Sequence, residues 1–417
     1  MKWSGQQERA LKDVSSWIND RGRQVYYLAG FAGTGKTTLA QHLVRDLDGL
    51  VLFAAYTGKA ASVLREKGCW NASTLHSLLY NVTDRDRSLL VEMEKRLAVL
   101  RQVELPVPRG LAEEERLEEE IKELEQSIQI EREKIKGPSF HLNPDSLASQ
   151  ASLIVLDECS MVNRDIAEDL LSFGKKVLVL GDPAQLPPVK GSGYFTNQKP
   201  DLTLTEIHRQ ALDNPIIRWS MKIREGGHIP FGEEGTCRKI RKGDINTDWL
   251  AEESITGQIL SGKNETRRRI NRNIRNVMEY SGTLPQSGEK LVMLRNDRDY
   301  DVLNGVICEA ASDAEFDEDG DVVMDLLYEG RVIPSAPIDT KDFRAYEDSE
   351  AANEWVDRNK LQLDFGYAIT VHKSQGSQWE TVTLCDDGFA KGRDEKLRRQ
   401  WLYTAITRAT TNLNIVA

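Results

Sequence analysis

Four short apolar runs stand out in the first half of the chain, and each predicts a buried strand. They occupy residues 25–29, 50–55, 151–156 and 176–180. Apolar residues recur at helical spacing in two other stretches, which are Ala10, Leu11, Val14, Trp17 and Ile18, and then Leu39, Leu43, Val44 and Leu47. Polar or glycine-rich residues follow the strands, so we look for the chemistry of the protein at strand ends.

Residues 84–136 have a different pattern, in which apolar residues alternate between spacings of three and four. They are Leu90, Met93, Leu97 and Leu100, then Leu117, Ile121, Leu124 and Ile128, with Ile135 one heptad later. The segment Leu105–Gly110 between the two sets contains two prolines and a glycine, which a helix interior would not contain. The pattern predicts an antiparallel helical hairpin, and helices of about 20 residues would make an arm ~30 Å long.

Residues 285–360 predict short strands instead of helices. Apolar runs at 290–294, 305–308 and 322–327 are separated by turns rich in Asn, Asp and Gly.

The composition allows two or three domains with well-formed cores. The chain has 417 residues, of which 40% are hydrophobic. It has no apolar run of about 20 residues, and its N-terminal residues are polar, so the sequence predicts neither a membrane span nor a signal peptide. The cysteines, which are Cys69, Cys159, Cys237, Cys308 and Cys385, lack metal-ligand spacing and favour a reducing, cytoplasmic environment over disulfides or zinc.

The net charge of −11 at first argues against a nucleic-acid partner, but the charge is unevenly placed. Residues 111–136 hold ten acidic and five basic side chains, and residues 309–360 hold sixteen and five. Together these two windows carry −16, so the rest of the chain carries +5. A mildly basic body with two acidic segments can still form a positive groove.

The segment Gly30–Thr38 follows the first predicted strand and opens the next helix. Its sequence, Gly-Phe-Ala-Gly-Thr-Gly-Lys-Thr-Thr, fits the P-loop pattern. The loop residues Gly33, Thr34 and Gly35 would turn backbone N–H groups toward phosphates, with Thr38 in the first turn of the helix. Lys36 would reach the β- and γ-phosphates of a nucleotide, and Thr37 would bind Mg²⁺. The alternative is a glycine-rich turn that only connects a strand to a helix.

Four other polar residues suit nucleotide chemistry. Asp157 and Glu158 end the third buried strand, where the first carboxylate can hold Mg²⁺ and the second can orient or deprotonate a water molecule. Gln185 follows the neighbouring strand, and its amide can sense a γ-phosphate. Gln7 could read an adenine as donor and acceptor, or it could be an ordinary solvated glutamine.

Other polar residues suit contacts with a phosphate backbone. Thr57, Lys59, Thr74 and His76 lie at predicted strand ends, although such stretches taken alone are more often an ordinary helix cap and a packed histidine. The segment Gln258–Thr266 predicts a strand and a polar turn. A basic helix follows with Arg267, Arg268, Arg269, Arg272 and Arg275, which suits phosphate contacts or a solvated helix face.

Taken in order, the motifs resemble those of superfamily 1 helicases of the RecD-like and Dda-like branch. The motifs are residues 30–38, 57–61, 157–158 and 181–188 in the first half, and residues 204–210, 369–377 and 402–409 in the second. With Gln7, the match spans residues 7 to 409.

The resemblance implies an α/β fold of two RecA-like P-loop domains with ATP and Mg²⁺ between them. Arg209 and Arg408 of the second domain would be arginine fingers opposite Lys36, Glu158 and Gln185. The strand contacts implied by the motifs are Thr57, Lys59, Thr74, His76, Asn264, Thr370 and His372. The segment around residues 288–305 resembles an SH3-like β-barrel that this branch inserts in its second domain, and this insert implies 5′-to-3′ movement.

These observations predict the following domains. The first RecA-like domain covers residues 1–83 and 137–200, the hairpin insert 84–136, the second RecA-like domain 201–284 and 361–417, and the acidic SH3-like insert 285–360.

The predicted function is an ATP-dependent DNA helicase that moves 5′ to 3′ on single-stranded DNA and unwinds duplex or forked DNA. Alternatives are a motor subunit of a larger recombination or repair complex, a single-strand translocase without unwinding, and a non-motor ATP-gated DNA-binding factor. A GTPase is disfavoured because no Asn-Lys-x-Asp guanine-binding motif is present. The hairpin could be a wedge, a docking arm or a solvated spacer. The hairpin or the acidic insert could contact a replication or recombination protein, in a bacterial or phage setting without a membrane.

Overall fold

The computed structural model describes most of the chain as two compact units. The described residues are 3–20, 22–45, 47–83, 88–101, 111–134, 139–188, 193–206, 213–297, 299–318, 320–348, 350–351, 356–357 and 359–417. One unit comprises Met1–Leu78 and Leu147–Ala417, and the other is Leu79–Ser146.

Both halves of the chain contain strands and helices. In the first half the strands are β1 (Val25–Gly30), β2 (Val51–Ala55), β3 (Ser73–Thr74), β4 (Tyr80–Thr83), β5 (Ser139–Leu142), β6 (Leu153–Asp157), β7 (Lys176–Gly181) and β8 (Leu202–Leu204). In the second half they are β9 (Gly232–Glu234), β10 (Cys237–Ile240), β11 (Gln258–Ser261), β12 (Lys290–Met293), β13 (Ile307–Ala310), β14 (Glu315–Phe316), β15 (Val322–Tyr328), β16 (Arg331–Asp339), β17 (Leu361–Phe365), β18 (Ala368–Thr370), β19 (Trp379–Cys385) and β20 (Ala409–Val416).

The α-helices are α1 (Gly5–Asn19), α2 (Lys36–Val44), α3 (Gly58–Glu66), α4 (Leu75–Leu79), α5 (Ser88–Arg101), α6 (Leu111–Lys134), α7 (Arg164–Ser172), α8 (Pro215–Arg224), α9 (Thr247–Thr256), α10 (Asn264–Val277), α11 (Lys341–Arg344) and α12 (Glu395–Ile406). Short 3-10 helices cover Leu147–Gln150, Cys159–Met161 and Lys242–Asp244. None of the helices in the described ranges is long and apolar enough to cross a membrane.

The first α/β domain is built on a six-stranded sheet in the order β3-β2-β6-β7-β1-β8, and all of its recorded pairings are parallel. The central strands β1, β6 and β7 are buried along nearly their whole length. Strands covered on both faces read as continuous apolar runs, which explains why the four predicted strands are confirmed as β1, β2, β6 and β7. Their carboxyl ends share one edge of the sheet.

The second α/β domain repeats this arrangement with strand order β18-β11-β19-β20-β10-β9. Its pairings are parallel except for the antiparallel edge strand β9. Two parallel sheets with helices confirm the predicted pair of RecA-like α/β domains. Here too the ends of β11, β18 and β19 lie side by side.

A closed β-barrel is inserted between α10 and β18 of the second domain. Strand β12 pairs with β13, β13 with β15, β15 with β16, β16 with β17, and β17 again with β12. The strand Leu361–Phe365 belongs to this barrel, although the sequence placed it in the second RecA-like domain. The hairpin between β15 and β16 turns through Glu329 and Gly330, which both have positive φ, as tight hairpin turns require.

The basic helix α10 attaches to the barrel, so the predicted phosphate contacts are wrong for two of its arginines, Arg267 and Arg275. Arg267 forms a buried ion pair with Asp364 of β17. Arg275 donates two hydrogen bonds, of 2.7 and 3.0 Å, to the fully buried Glu289. Arg272 donates to the backbone carbonyl of Tyr346. Side chains that satisfy buried carboxylates are not available to a nucleic-acid backbone.

The smaller unit, Leu79–Ser146, contains the two helices predicted for the insert. Strand β4 pairs antiparallel with β5 from Tyr80 opposite Leu142 to Thr83 opposite Ser139. Arg96 forms an ion pair with Glu120 at 2.8 Å, and Arg101 with Glu125 at 2.7 Å, which join α5 to α6. The proline-containing tip at residues 105–110 lies outside the described residues, so the hairpin stays a prediction.

Candidate functional site

The P-loop connects β1 to α2 and has the backbone that its glycines allow. Gly33 and Gly35 have φ angles of 77° and 76°, in the left-handed region where glycine is unstrained. A Cβ atom on Gly30 would lie 2.7 Å from Oγ1 of Thr34, so the loop closes too tightly for a side chain there. Lys36 donates hydrogen bonds to the carbonyls of Gly30 at 2.7 Å and Phe31 at 3.2 Å. The loop and the N-terminus of α2 together form an anion-binding cradle.

Thr37 and Asp157 meet at the edge of the first sheet. The Thr37 hydroxyl donates a 2.8 Å hydrogen bond to Oδ2 of Asp157. Burial raises the pKa of Asp157, and the charge of neighbouring Glu158 adds to the rise. Hydroxyl and carboxylate oxygens beside a phosphate cradle are the donor set that could hold a hard cation such as Mg²⁺. Thr38, also predicted at the site, is exposed on the first turn of α2.

Glu158 is held in a strained backbone conformation. Its φ and ψ are 52° and 47°, a left-handed geometry that is costly for a residue with a side chain. Its N–H donates to Oδ1 of Asp157 at 2.8 Å. Backbone strain of this kind is concentrated at functional sites, where the surrounding structure holds a residue in an unfavourable conformation.

Gln7 contacts the P-loop instead of solvent. Its Nε2 donates to the backbone carbonyl of Thr34 at 3.0 Å. Its Oε1 accepts from the N–H of Ser4 at 3.0 Å, and Ser4 Oγ accepts from the N–H of Gln7 at 3.3 Å, so the two residues form a capping box at the start of α1. The Ser-x-x-Gln spacing was a readable signal for this cap.

Arg408 lies where the second α/β domain meets the carboxyl edge of the first sheet. A cleft between them is lined by Asp157, Glu158, Gly376 and Arg408. Arg408 is 3% exposed. Its Nη1 donates to the carbonyl of Ser377 at 3.1 Å and its Nε to that of Thr404 at 3.2 Å. The second predicted arginine, Arg209, lies outside the described residues.

Tyr403 makes a contact that sequence reasoning missed. Its hydroxyl accepts a 2.9 Å hydrogen bond from the N–H of Ala32 in the P-loop and donates one of 2.7 Å to Asp182. Burial raises the pKa of Asp182, which lies directly after β7. The tyrosine was visible as part of the last motif, but its partners are distant in sequence.

Gln185 contacts the first domain, and the next residue, Leu186, contacts the second. The Gln185 side chain is 7% exposed, and its Oε1 accepts from the Ser160 hydroxyl at 3.5 Å. The N–H of Leu186 donates to Oγ1 of Thr404 at 2.9 Å, and its carbonyl accepts from Nε2 of Gln375 at 2.9 Å. The segment after β7 is therefore held by the last two motifs of the second domain.

The predicted strand contacts of the first domain have partners within the protein. Thr57 caps α3 by accepting from the N–H of Ala60 at 3.2 Å. Lys59 forms a 3.5 Å ion pair with Glu329 of the barrel, and the two side chains are 27% and 43% exposed.

Thr74 and His76 contact neighbouring residues of the first domain. The Thr74 hydroxyl accepts from the N–H of Ser77 at 3.1 Å. The ring of His76 lies 5.6 Å from that of Tyr56 in a T-shaped contact, and burial lowers the pKa of His76. Both observations match the alternative of a cap and a packed histidine.

Three predicted contacts of the second domain lie at neighbouring strand ends. Asn264 is exposed at the start of α10, three residues after the end of β11. Thr370 ends β18, and its hydroxyl accepts from the N–H of Lys373 at 3.2 Å. The ring of His372 contacts that of Phe389 with centroids 5.5 Å apart, and burial lowers the pKa of His372.

Two family models match the chain. One, described as AAA domain, covers residues 2–245, and the other, described as UvrD-like helicase C-terminal domain, covers residues 365–416. The ATP-dependent RecD2 DNA helicase of Deinococcus radiodurans is 25% identical over 96% of this chain and 48% of its own length.

Solved structures support the same grouping at the level of the fold. A Pif1 structure that describes unwinding at forked double-stranded DNA aligns with a TM-score of 0.53 and 18% identity, covering 100% of this chain and 92% of that one. A Bacteroides Pif1 bound to ADP-AlF3 and single-stranded DNA aligns at 0.52 and 18%, covering 100% and 93%. The chain belongs to the RecD/Pif1 branch of the superfamily 1 helicases. This confirms the family predicted from the motifs.

The chain corresponds to only part of the curated relatives that it matches. It spans about half the length of the RecD2 protein and of the uncharacterized mimivirus protein R530, which is 27% identical over 58% of this chain and 48% of its own length.

Proposed function

We propose that this helicase hydrolyses ATP with Mg²⁺ and uses closure between its two α/β domains to move 5′ to 3′ on single-stranded DNA and unwind duplex. The observation that carries the proposal is the cleft shared by Glu158 and Asp157 of the first domain and Arg408 of the second. A hydrolytic motor needs a water-activating carboxylate and a charge-stabilising guanidinium on parts that move relative to each other.

The P-loop would bind the triphosphate. The N–H groups that follow Gly30 and the N-terminus of α2 would surround the phosphates. Lys36 would exchange its two loop carbonyls for the β- and γ-phosphate oxygens. Gln7 lies on the loop through Thr34 and would support the loop or contact the base.

Thr37 and Asp157 fit a Mg²⁺ ion, since both present oxygen atoms and lie 2.8 Å apart beside the cradle. Bound there, Mg²⁺ would neutralise charge on the phosphate oxygens.

Hydrolysis would depend on four side chains. Glu158 would accept the proton of the attacking water, and Gln185 would orient that water or sense the γ-phosphate. Arg408 would stabilise the charge that develops on the transferred phosphoryl group. Arg209 is proposed for the same role on the strength of its motif.

Contacts across the cleft would couple hydrolysis to movement. Tyr403 bonds to the P-loop through Ala32, and Leu186 bonds to Thr404 and Gln375. A change at the γ-phosphate would therefore alter how the second domain is held against the first.

The DNA strand would cross the carboxyl ends of both sheets. Thr57, Lys59, Thr74 and His76 are the proposed contacts on the first domain, and Asn264, Thr370 and His372 those on the second. Single-stranded DNA and forked DNA are proposed as substrates because structures of the Pif1 neighbours describe both. The 5′-to-3′ direction is inferred from the family and from the closed barrel.

Unwinding of two matched duplexes, one with a 5′ tail and one with a 3′ tail, tests this proposal. Opening of the 5′-tailed duplex alone would support the function and its direction. Opening of the 3′-tailed duplex alone would contradict the direction. DNA-stimulated ATP hydrolysis without opening of either would favour the translocase alternative or a motor that works in a larger complex.

We further propose that α5 and α6 form an arm that separates duplex or docks a replication or recombination protein. The β4–β5 ladder brings the ends of the insert together, and the ion pairs of Arg96 and Arg101 join its helices. Deletion of residues 86–134 separates the roles: lost unwinding with retained ATPase activity indicates a wedge, lost partner binding indicates a docking arm, and no change indicates a spacer.

The five free, buried cysteines support a reducing cytoplasm as the site of action.

A further inference from the structure

Arg224 lies over the P-loop although it belongs to the second α/β domain. It is the last residue of α8, and its Cζ atom is 3.7 Å from the centroid of the Phe31 ring. Its side chain is 17% exposed. A guanidinium stacked on an aromatic face at this distance has its plane fixed by the ring.

The donors of Arg224 are incompletely satisfied in this position. Nη2 lies 3.2 Å from the carboxylate of Glu225, which is 64% exposed. Nη1 is buried and has no hydrogen-bond partner among the described residues. A buried guanidinium N–H without an acceptor is unfavourable. A bound ligand could supply the acceptor that Nη1 lacks.

The surroundings indicate that this acceptor is an anion at the β/γ end of the P-loop. Lys36, the residue that reaches the β- and γ-phosphates in P-loop proteins, donates to the carbonyl of Phe31 at 3.2 Å. The next residue, Ala32, donates to the Tyr403 hydroxyl.

We propose that Arg224 is a nucleotide-binding residue, whose Nη1 donates to an oxygen of the terminal phosphate of ATP while Phe31 holds the guanidinium plane. The inference rests on the proposed ATPase function and adds a guanidinium that the motifs did not identify. Because Arg224 and the P-loop belong to different domains, a nucleoside triphosphate would draw the domains together. A diphosphate would lack the oxygen that Nη1 needs.

Equilibrium binding of a fluorescent non-hydrolysable ATP analogue and of fluorescent ADP tests the proposal. The proteins compared are the full chain, Arg224→Gln, Arg224→Lys and the control Lys222→Gln, which changes an exposed cation on the same helix. We expect Arg224→Gln to weaken the triphosphate analogue roughly 10- to 100-fold, the range of a charge-assisted hydrogen bond, and ADP less than about threefold. Arg224→Lys keeps the charge without the planar fork and should fall between.

Equal weakening of both nucleotides, or no change in either, would overturn the proposal and leave Arg224 as a packing residue on Phe31. Phe31→Leu provides a second variant that keeps every charge. It should reproduce part of the selective loss for the triphosphate, because the guanidinium is then no longer held in plane. Failure of the unaltered chain to bind either nucleotide would instead refute the proposed ATPase function.

Discussion

The hydroxyl of Tyr403 donates a 2.7 Å hydrogen bond to Asp182, and this bond joins the second α/β domain to the first. The same oxygen accepts from the N–H of Ala32. One buried phenol therefore contacts both the P-loop and the segment that follows β7.

Replacement of Tyr403 by Phe removes both bonds and keeps the ring. We expect DNA-stimulated ATPase turnover to fall about tenfold, since a hydrogen bond to a charged group contributes ~1.5–3 kcal/mol, while nucleotide affinity changes little. Steady-state kinetics give the turnover, and fluorescence titration gives the affinity. The control is Tyr194→Phe, because the Tyr194 hydroxyl has no hydrogen bond to a described residue. Unchanged turnover in Tyr403→Phe would show that the contact is only structural.

Two substitutions at Glu158 separate catalysis from backbone strain. Both Glu158→Gln and Glu158→Gly should reduce ATP hydrolysis by about 10²- to 10⁴-fold, the usual contribution of a general base. The glycine variant should unfold at a higher temperature than the glutamine variant, since relief of a left-handed cost of ~1–2 kcal/mol exceeds the ~0.5–1 kcal/mol entropy cost of glycine. ATPase assays and thermal unfolding measure the two effects. A lower unfolding temperature for the glycine variant would contradict the strain assignment.

Gly376 tests how closely the two domains approach. A Cβ atom there would lie 2.4 Å from Oγ1 of Thr57 on the opposite domain. We expect Gly376→Ala to keep the cleft from closing and to lower ATPase turnover at least about tenfold, which corresponds to ~1.4 kcal/mol. Gly388→Ala is the matched control, because Gly388 also has a positive φ, of 73°, but its Cβ would meet no atom within 4 Å. Equal losses in the two variants would mean that backbone strain, and not domain contact, causes the effect.

The ion pair between Lys59 and Glu329 places a barrel carboxylate where a DNA phosphate is proposed to bind. We expect Glu329→Gln to raise affinity for single-stranded DNA about two- to fivefold at low salt, because exposed ion pairs contribute ~0.2–1 kcal/mol. Fluorescence anisotropy with a labelled oligonucleotide measures this, and the gain should shrink as salt is added. Glu318→Gln, at another exposed acid of the barrel, should have little effect. A loss of affinity in Glu329→Gln would remove Lys59 from the proposed track.

The barrel should depend on the buried pair of Arg275 and Glu289. Truncation of Arg275 to Ala leaves a fully buried carboxylate without its cation and should cost ~3–5 kcal/mol of unfolding free energy. Arg269→Ala, at an exposed position of the same helix, should change stability by less than about 0.5 kcal/mol. Urea unfolding followed by circular dichroism measures both. Similar stability of the two variants would show that α10 does not anchor the barrel as described.

The strands and the ATP-site residues were predictable because each motif is a continuous string at the end of a buried strand. Asp157 and Glu158, for instance, follow the apolar run at residues 153–156, which is typical of a strand covered on both faces. Parallel strands bring their carboxyl ends to one edge, so the sequence alone predicts that Lys36, Thr37 and Asp157 lie together.

The arginines of α10 could not be assigned in this way. Their spacing is equally suited to phosphates and to buried carboxylates, and the choice depends on Asp364, 97 residues after Arg267. Tyr403 and Arg224 are similar cases, since each acts on the P-loop from a helix in the other domain. Contacts made only when distant segments fold together leave no local pattern in the sequence.

Thr83 and Ser139 face each other in the β4–β5 ladder, and this has an evolutionary consequence. Opposed residues in such a ladder are only about 5 Å apart, so the chain departs and returns at a single point. Insertions, deletions or exchanges in the intervening residues should therefore be tolerated in evolution more readily than changes within the two paired strands.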